Sequence, residues 1–300
     1  MIGAIVAVTL AVWLFLAGRP DALVLSVVLG VLAASTAPAA TVAVIHEYRS
    51  KGPVTTTLLG IVAMDDAIGI ILFSMMLVWV AGTTMMGAVT GIVVEIGGAL
   101  VVGAALGWAL AYFGHRVRNP QFFLPMVLSA ILLSQGLAEY WHLSPLLTAM
   151  TVGFTARATY RSGGDRLMAP IEYLEELVIL VFFTLAGAHF QLDVFVSAFD
   201  LAIVYVVARA AGKIIGTYIA ARLISAPEAI RRYIGFGVLP QAGIAIGLAL
   251  SLLTHADFKD TGLLLVNVIL ASTLVNELIG PFATRYALFK AGELNQGEKG

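Results

Sequence analysis

Ala63-Met64-Asp65-Asp66-Ala67 is the stretch on which the fold turns. Its two adjacent carboxylates interrupt an apolar run from Val54 to Ala81 that holds no other charge. A helix needs about 20 apolar residues to cross a bilayer, and this run is longer. One acid at the centre of a membrane helix costs about 2.5–3.5 kcal/mol on insertion scales. Two side by side are hard to explain by packing. Intramembrane acids mark ion and proton paths, so the pair reads as a site for a cation and a proton.

The surrounding composition agrees. Of 300 residues, 60% are hydrophobic and 12% charged, with a mean hydropathy of +0.97. Soluble domains carry about 25% charged residues, so this is a polytopic all-α membrane protein. There are no cysteines, which excludes disulfides and thiolate chemistry. The five histidines, His46, His115, His142, His189 and His255, fall in different segments without metal-ligand spacing. No cofactor and no nucleic-acid partner is expected. Ile2 to Ala17 lacks a basic leader, so it reads as a short span rather than a signal peptide.

Apolar runs and their breaks give ten spans, at 2–17, 22–45, 54–81, 88–113, 121–138, 143–160, 174–190, 195–221, 233–254 and 261–284. The loops are short, with Arg161–Pro170 read as one of them and 285–300 as a polar tail. The whole is read as one domain. Lys and Arg alternate loop by loop. One side holds thirteen, at 49, 51, 116, 118, 157, 161, 166, 222, 231, 232, 285, 290 and 299. The other holds Arg19 and Lys259 alone. By the positive-inside rule both termini face the cytoplasm, and the inner membrane is the expected location.

Two spans carry breaks. Ser35-Thr36-Ala37-Pro38 sits mid-span, where proline removes a backbone donor and opens the helix. Gly237-Val238-Leu239-Pro240-Gln241-Ala242-Gly243 breaks the ninth span. Freed carbonyls and the Thr36 hydroxyl must then face a cavity, since irregular backbone cannot face lipid. In the ten-span topology the second and ninth spans run in opposite directions. Each is followed by a span with intramembrane acid, Asp65 and Asp66 in one case and Glu277 in the other. Paired interrupted helices in inverted repeats point to a secondary transporter site.

Arg209 and Lys213 lie four residues apart on one helix face. The stretch from Arg209 to Gly216 also places glycines where another helix can come close. Asp65, Asp66, Glu95 and Glu277 outnumber these two bases. Neighbouring carboxylates in a low dielectric cannot both ionise cheaply; such a pair can bind a proton and release it for a metal cation. For Arg209, a structural ion pair with Glu95 or Glu277 and a coupling role both remain open. Glu95 lies either mid-membrane or nearer the periplasmic interface.

The motifs Thr36-Ala37-Pro38, Met64-Asp65-Asp66-Ala67, Phe182-Phe183-Thr184-Leu185-Ala186-Gly187-Ala188, Arg209-x-x-Gly-Lys213, Leu239-Pro240-Gln241-Ala242-Gly243 and Asn276-Glu277-Leu278-Ile279-Gly280-Pro281 occur in this order. Together they resemble the monovalent cation:proton antiporter superfamily, in its second bacterial branch. The resemblance implies a mobile core of crossed broken helices and a dimer-forming panel. It makes Asp66 the obligatory cation and proton carboxylate, and Asp65 the acid that pairs with Lys213. It also implies electrogenic exchange. Family members usually have twelve or thirteen spans, so this chain is expected to lack the first two or three. It carries no GxGxxG nucleotide-binding domain of the kind found in gated potassium efflux systems.

The leading expectation is Na⁺ (or Li⁺)/H⁺ antiport by alternating access. The cation would sit transiently on Asp66 and Asp65, with Thr36 and opened carbonyls completing its oxygen shell. Lys213, Arg209 and Glu277 are the coupling or ion-pair candidates, and Pro38, Pro240, Gln241 and Gly243 mark the broken helices. The expected partners are the transported ions, the bilayer and a second copy in a homodimer. K⁺/H⁺ antiport or a K⁺ efflux pathway is the alternative. An intramembrane aspartyl hydrolase is remote, because consecutive side chains diverge by about 100° on a helix. The chain is not expected to be an enzyme.

Overall fold

A computed structural model describes residues 1–81, 85–117, 119–160, 163–188 and 191–294. Arg118, Arg161, His189, Lys299 and the tail beyond Leu294 lie outside the described residues, as do the side chains of Phe182, Phe183 and Ala186.

Every regular element described is a helix: α1 (Ile2–Phe15), α2 (Ala22–Leu32), α3 (Pro38–Glu47), α4 (Pro53–Val80), α5 (Met85–Arg116), α6 (Phe123–Tyr140), α7 (Pro145–Thr159), α8 (Gly164–Ala188), α9 (Leu192–Ser197), α10 (Phe199–Leu223), α11 (Glu228–Gly237), α12 (Gly243–Ser251) and α13 (Gly262–Lys290). In lipid a helix satisfies its own backbone, and these sequences supply the apolar cover. Among the described residues four helices are long and apolar enough to cross a membrane: Pro53–Val80, Val93–Arg116, Pro120–Tyr140 and Gly262–Lys290.

Each of the ten apolar runs meets a helix or a pair of half-helices. The second run divides into α2 and α3, with residues 33–37 outside both, and Pro38 opens α3. The ninth divides into α11 and α12, with residues 238–242 outside both, and Gly243 opens α12. The two interruptions meet directly, the Ala37 N–H donating to the Pro240 carbonyl at 2.9 Å.

Three boundaries differ from expectation. The stretch read as a loop at Arg161–Pro170 is helical from Gly164 onward, and α8 continues through Pro170. Charged residues there lower hydropathy without lowering helix propensity. The eighth run begins with the short α9, and α10 starts at Phe199. Residues 285–290, counted with the tail, extend α13.

The chain divides into two compact units, Met1–Gly69 with Phe183–Gly300, and Ile70–Phe182. In the second, Leu110, Phe123, Val127, Val152, Ala156 and Leu167 form one apolar cluster. There α5 lies close on α7: a Cβ on Gly103 would stand 2.7 Å from the Thr148 carbonyl oxygen, and one on Gly107 2.5 Å from that of Val152. Lipid is as apolar as leucine, so membrane helices associate by close packing of small residues.

The first unit uses the same device between α1 and α10. A Cβ on Gly212 would lie 2.5 Å from the Gly3 carbonyl oxygen, and one on Gly216 2.9 Å from the Gly3 Cα. The contact holds α10, and with it Arg209 and Lys213, against the start of the chain. Gly212→Val must push the two backbones apart. Overpacking of this kind costs about 1–3 kcal/mol, so the variant is expected to melt at a lower temperature in detergent than wild type, whereas Gly247→Ala, with nothing within 4 Å of its Cβ, should not.

Candidate functional site

Opening a helix inside a membrane leaves carbonyls that water cannot reach, and each needs a donor. At the first interruption four successive carbonyls, from Leu32 to Ser35, accept from side chains elsewhere in the chain. Gln241 Nε2 reaches Leu32 O at 3.1 Å. Arg209 Nε reaches Ala33 O at 3.2 Å. Lys213 Nζ reaches Ala34 O at 2.6 Å. Arg209 Nη2 reaches Ser35 O at 2.7 Å.

Arg209 also serves the second interruption. Its Nη1 donates to Leu239 O at 2.7 Å and to Asn276 Oδ1 at 3.2 Å, and its Nη2 to Pro240 O at 3.4 Å. A guanidinium carries five N–H donors and no acceptor, so every one is used. The side chain is 0% exposed. A cation at the carbonyl ends of α2 and α11 also matches the negative ends of their helix dipoles.

A second polar cluster surrounds Gln241. It donates to the Tyr205 hydroxyl at 2.9 Å and accepts from Ser272 Oγ at 3.0 Å. Asn276 Nδ2 donates to both the carbonyl and the hydroxyl of Ser272, at 2.8 and 2.9 Å. Tyr205, Arg209 and Lys213 are spaced by four along α10 and all are buried. Sequence reading found the last two but not Tyr205 or Ser272. The i, i+4 spacing of polar groups, Tyr205 before Arg209 and Ser272 before Asn276, was the available signal.

The acids sit beside this frame. Asp65 is 4% exposed. Its Oδ2 accepts from the Thr36 hydroxyl and lies 3.4 Å from Lys213 Nζ. Lys213 donates in turn to Thr36 Oγ1 at 2.7 Å. Thr36 therefore bridges acid and base, one residue before the Ala37 N-cap of α3. The positive end of a helix dipole favours an anion, and Asp65 is that anion. The sequence-based view of Thr36 and the opened carbonyls as ion ligands meets a different arrangement here: they are engaged with Asp65, Lys213, Arg209 and Gln241.

Asp66 differs from its neighbour. It is half-buried, and its Oδ1 is buried with no hydrogen-bond partner. Glu277 is not brought to Arg209. Its Oε1 is likewise buried and unpartnered. It lines a largely apolar cleft of about 850 Å³ with Thr273, Leu274, Ile203, Val207 and Ile246. Glu95 belongs to the second unit, on α5. Among the described residues no group of three His, Asp or Glu is arranged to hold a metal ion.

The family model for the transmembrane sodium/hydrogen exchanger matches residues 1–285. The chain belongs to the sodium/hydrogen exchanger family. It is also similar to the solved structure of the sodium proton antiporter MjNhaP1 from Methanocaldococcus jannaschii. The TM-score is 0.77 and the identity 17%, over 98% of this chain and 76% of that one. At that identity the likeness shows the shared fold. No curated protein matches the chain. As a member of this family the protein is a membrane antiporter.

Arg209 offers a direct test of how the frame is held. Arg209→Met leaves Ala33 O, Ser35 O, Leu239 O and Asn276 Oδ1 short of a donor, and each buried group so stranded costs about 1–3 kcal/mol. Arg209→Lys keeps the charge but loses the five-donor fork. Both variants are expected to unfold well below wild type in detergent, with Lys recovering less than half of the loss. A Lys variant as stable as wild type would mean that charge alone is what the site requires.

Proposed function

We propose that the chain exchanges Na⁺ (or Li⁺) for H⁺ with Asp66 as the carboxylate that takes each ion in turn. The observation that carries this is the contrast within the doublet. Asp65 is held by Thr36 and Lys213, whereas Asp66 keeps a buried oxygen with no partner. A buried carboxylate left without a donor is costly, and a proton or a hard cation relieves that cost. Na⁺ prefers oxygen ligands. Asp66 supplies one, and Asp65 supplies another when the ion draws it from Lys213, 3.4 Å away. Lys213 would retain its bonds to Ala34 O and Thr36 Oγ1.

The exchange works by alternating access, a proton and a metal ion competing for the same acid. The presence of two acids and one lysine supports electrogenic exchange, in line with the family resemblance. The thirteen-to-two distribution of Lys and Arg supports a multi-pass inner-membrane orientation with both described ends cytoplasmic. A homodimer is the assembly we propose.

In everted vesicles, a Na⁺ pulse is expected to release protons from wild type. Asp66→Asn should abolish this while inserting normally, since Asn can neither carry a proton at the site nor offer a charged ligand. Undiminished exchange in that variant would refute the assignment. Replacing Na⁺ by Li⁺ or K⁺ in liposomes, at several imposed potentials, separates sodium from potassium exchange. A rate indifferent to potential would rule out the electrogenic cycle.

A further inference from the structure

The acid Glu293 was counted with the polar tail, yet its side chain is 7% exposed. Its placement begins at the end of α13, in Ala291-Gly292-Glu293. Gly292 has φ +73°, in the left-handed region that favours glycine. The Gly292 N–H donates to Phe289 O and the Glu293 N–H to Leu288 O, both at 3.0 Å. These paired bonds are a Schellman turn, and the turn aims Glu293 at the start of α4.

There the carboxylate caps a helix to which it does not belong. Oε1 accepts from the Val54 N–H at 2.7 Å. Oε2 accepts from the Thr55 N–H and from Thr55 Oγ1, both at 2.7 Å. The residue before Pro53 is Gly52, which has no side chain to cap with, and a Cβ there would lie 2.3 Å from Glu293 Cδ. The Glu293 carbonyl accepts from the Ser50 hydroxyl at 2.9 Å and the Lys51 N–H at 3.2 Å. Ser50 closes α3 by donating its N–H to Ile45 O at 3.0 Å. The surround is apolar, with Leu288 and Leu294 packed among Val44, Ile45, Val54 and Leu58.

Three helix ends therefore converge on Glu293, α4 on its carboxylate and the end of α3 on its main-chain carbonyl, and each helix carries part of the site. α3 follows directly after Thr36. α4 carries Asp65 ten residues beyond Thr55, about 15 Å along a rigid helix. α13 carries Asn276, an acceptor for Arg209. Thr36 precedes α3 and Asp65 lies within α4, so their contact joins the two helices whose other ends meet at Glu293.

We infer that Glu293 is a positioning residue for ion exchange, acting through the register of α3, α4 and α13. This rests on the reading of Asp65 and Asp66 as the exchange site.

The test uses the full chain in proteoliposomes: wild type, Glu293→Ala and Glu293→Gln at matched amounts of folded protein. Hydrogen exchange at the Val54 and Thr55 amides is followed in the same preparations. Loss of the cap should speed exchange at those amides about fivefold or more. A shifted register should raise the apparent KM for Na⁺ roughly three- to tenfold, with a smaller change in maximal rate. Glu293→Gln, which keeps one acceptor oxygen, should fall between wild type and Ala, and it decides the matter if Ala does not fold. Faster amide exchange with an unchanged KM and pH profile would leave a cap of purely structural value and overturn the positioning role. Unchanged amide exchange would overturn the cap as well. A wild type that moves no protons on addition of Na⁺ sinks the exchange site and this role together, whereas normal wild-type exchange with indifferent Glu293 variants sinks this role alone.

Discussion

The fold depends on one constraint: carbonyls exposed by two interrupted helices within a membrane must all find donors. Arg209 meets most of that demand, its five N–H groups divided between the two interruptions and Asn276. Lys213 and Gln241 supply the rest of the first break. An unsatisfied polar group in hydrocarbon costs several kcal/mol, so the breaks and the buried cations are not separable features. A helix opened without Arg209 would leave those carbonyls short of donors. Arg209 without the open carbonyls would be a buried charge with nothing to receive its protons.

The doublet gains its meaning from helical geometry. Adjacent residues point about 100° apart, so Asp65 and Asp66 cannot share one environment. Asp65 turns into the frame and becomes part of it, bonded to Thr36 and close to Lys213. Asp66 is left half-buried with a free oxygen. The doublet therefore places one acid within the frame and leaves an oxygen of the other without a partner.

Much of this was legible in the sequence. The ten apolar runs, the breaks at Pro38 and Pro240, and the close approach of Gly212 and Gly216 all follow from composition and local sterics. The partners of Arg209 were not legible. Counting acids against bases suggests Glu95 or Glu277, because carboxylates are visible in a sequence. The acceptors that Arg209 uses are almost all main-chain carbonyls, which every residue carries and no pattern marks. Glu293 was missed for a related reason. Hydropathy reads a charged chain end as tail, while a glycine in a left-handed turn and two first-turn amides at Val54 and Thr55, which lack an acceptor in their own helix, make it a cap. The helical stretch through Pro170 was missed because hydropathy reports lipid contact rather than helix formation.

The two halves of the chain repeat one motif in different residues. In the first, α4 follows the α2–α3 break and carries Asp65-Asp66; in the second, α13 follows the α11–α12 break and carries Asn276-Glu277. Asp65 and Asn276 both face the crossing, one accepting from Thr36 and the other from Arg209. Asp66 and Glu277 both turn away, and each keeps a buried oxygen without a partner. The helical step between consecutive residues explains this division in both places. What separates the halves is charge at the inward position. An amide at 276 both accepts from the Arg209 guanidinium and donates to the Ser272 carbonyl. A carboxylate at 65 accepts from Thr36 and pairs with Lys213. The two halves therefore differ at the inward position: an aspartate beside Thr36 and Lys213 in one, an asparagine between Arg209 and Ser272 in the other.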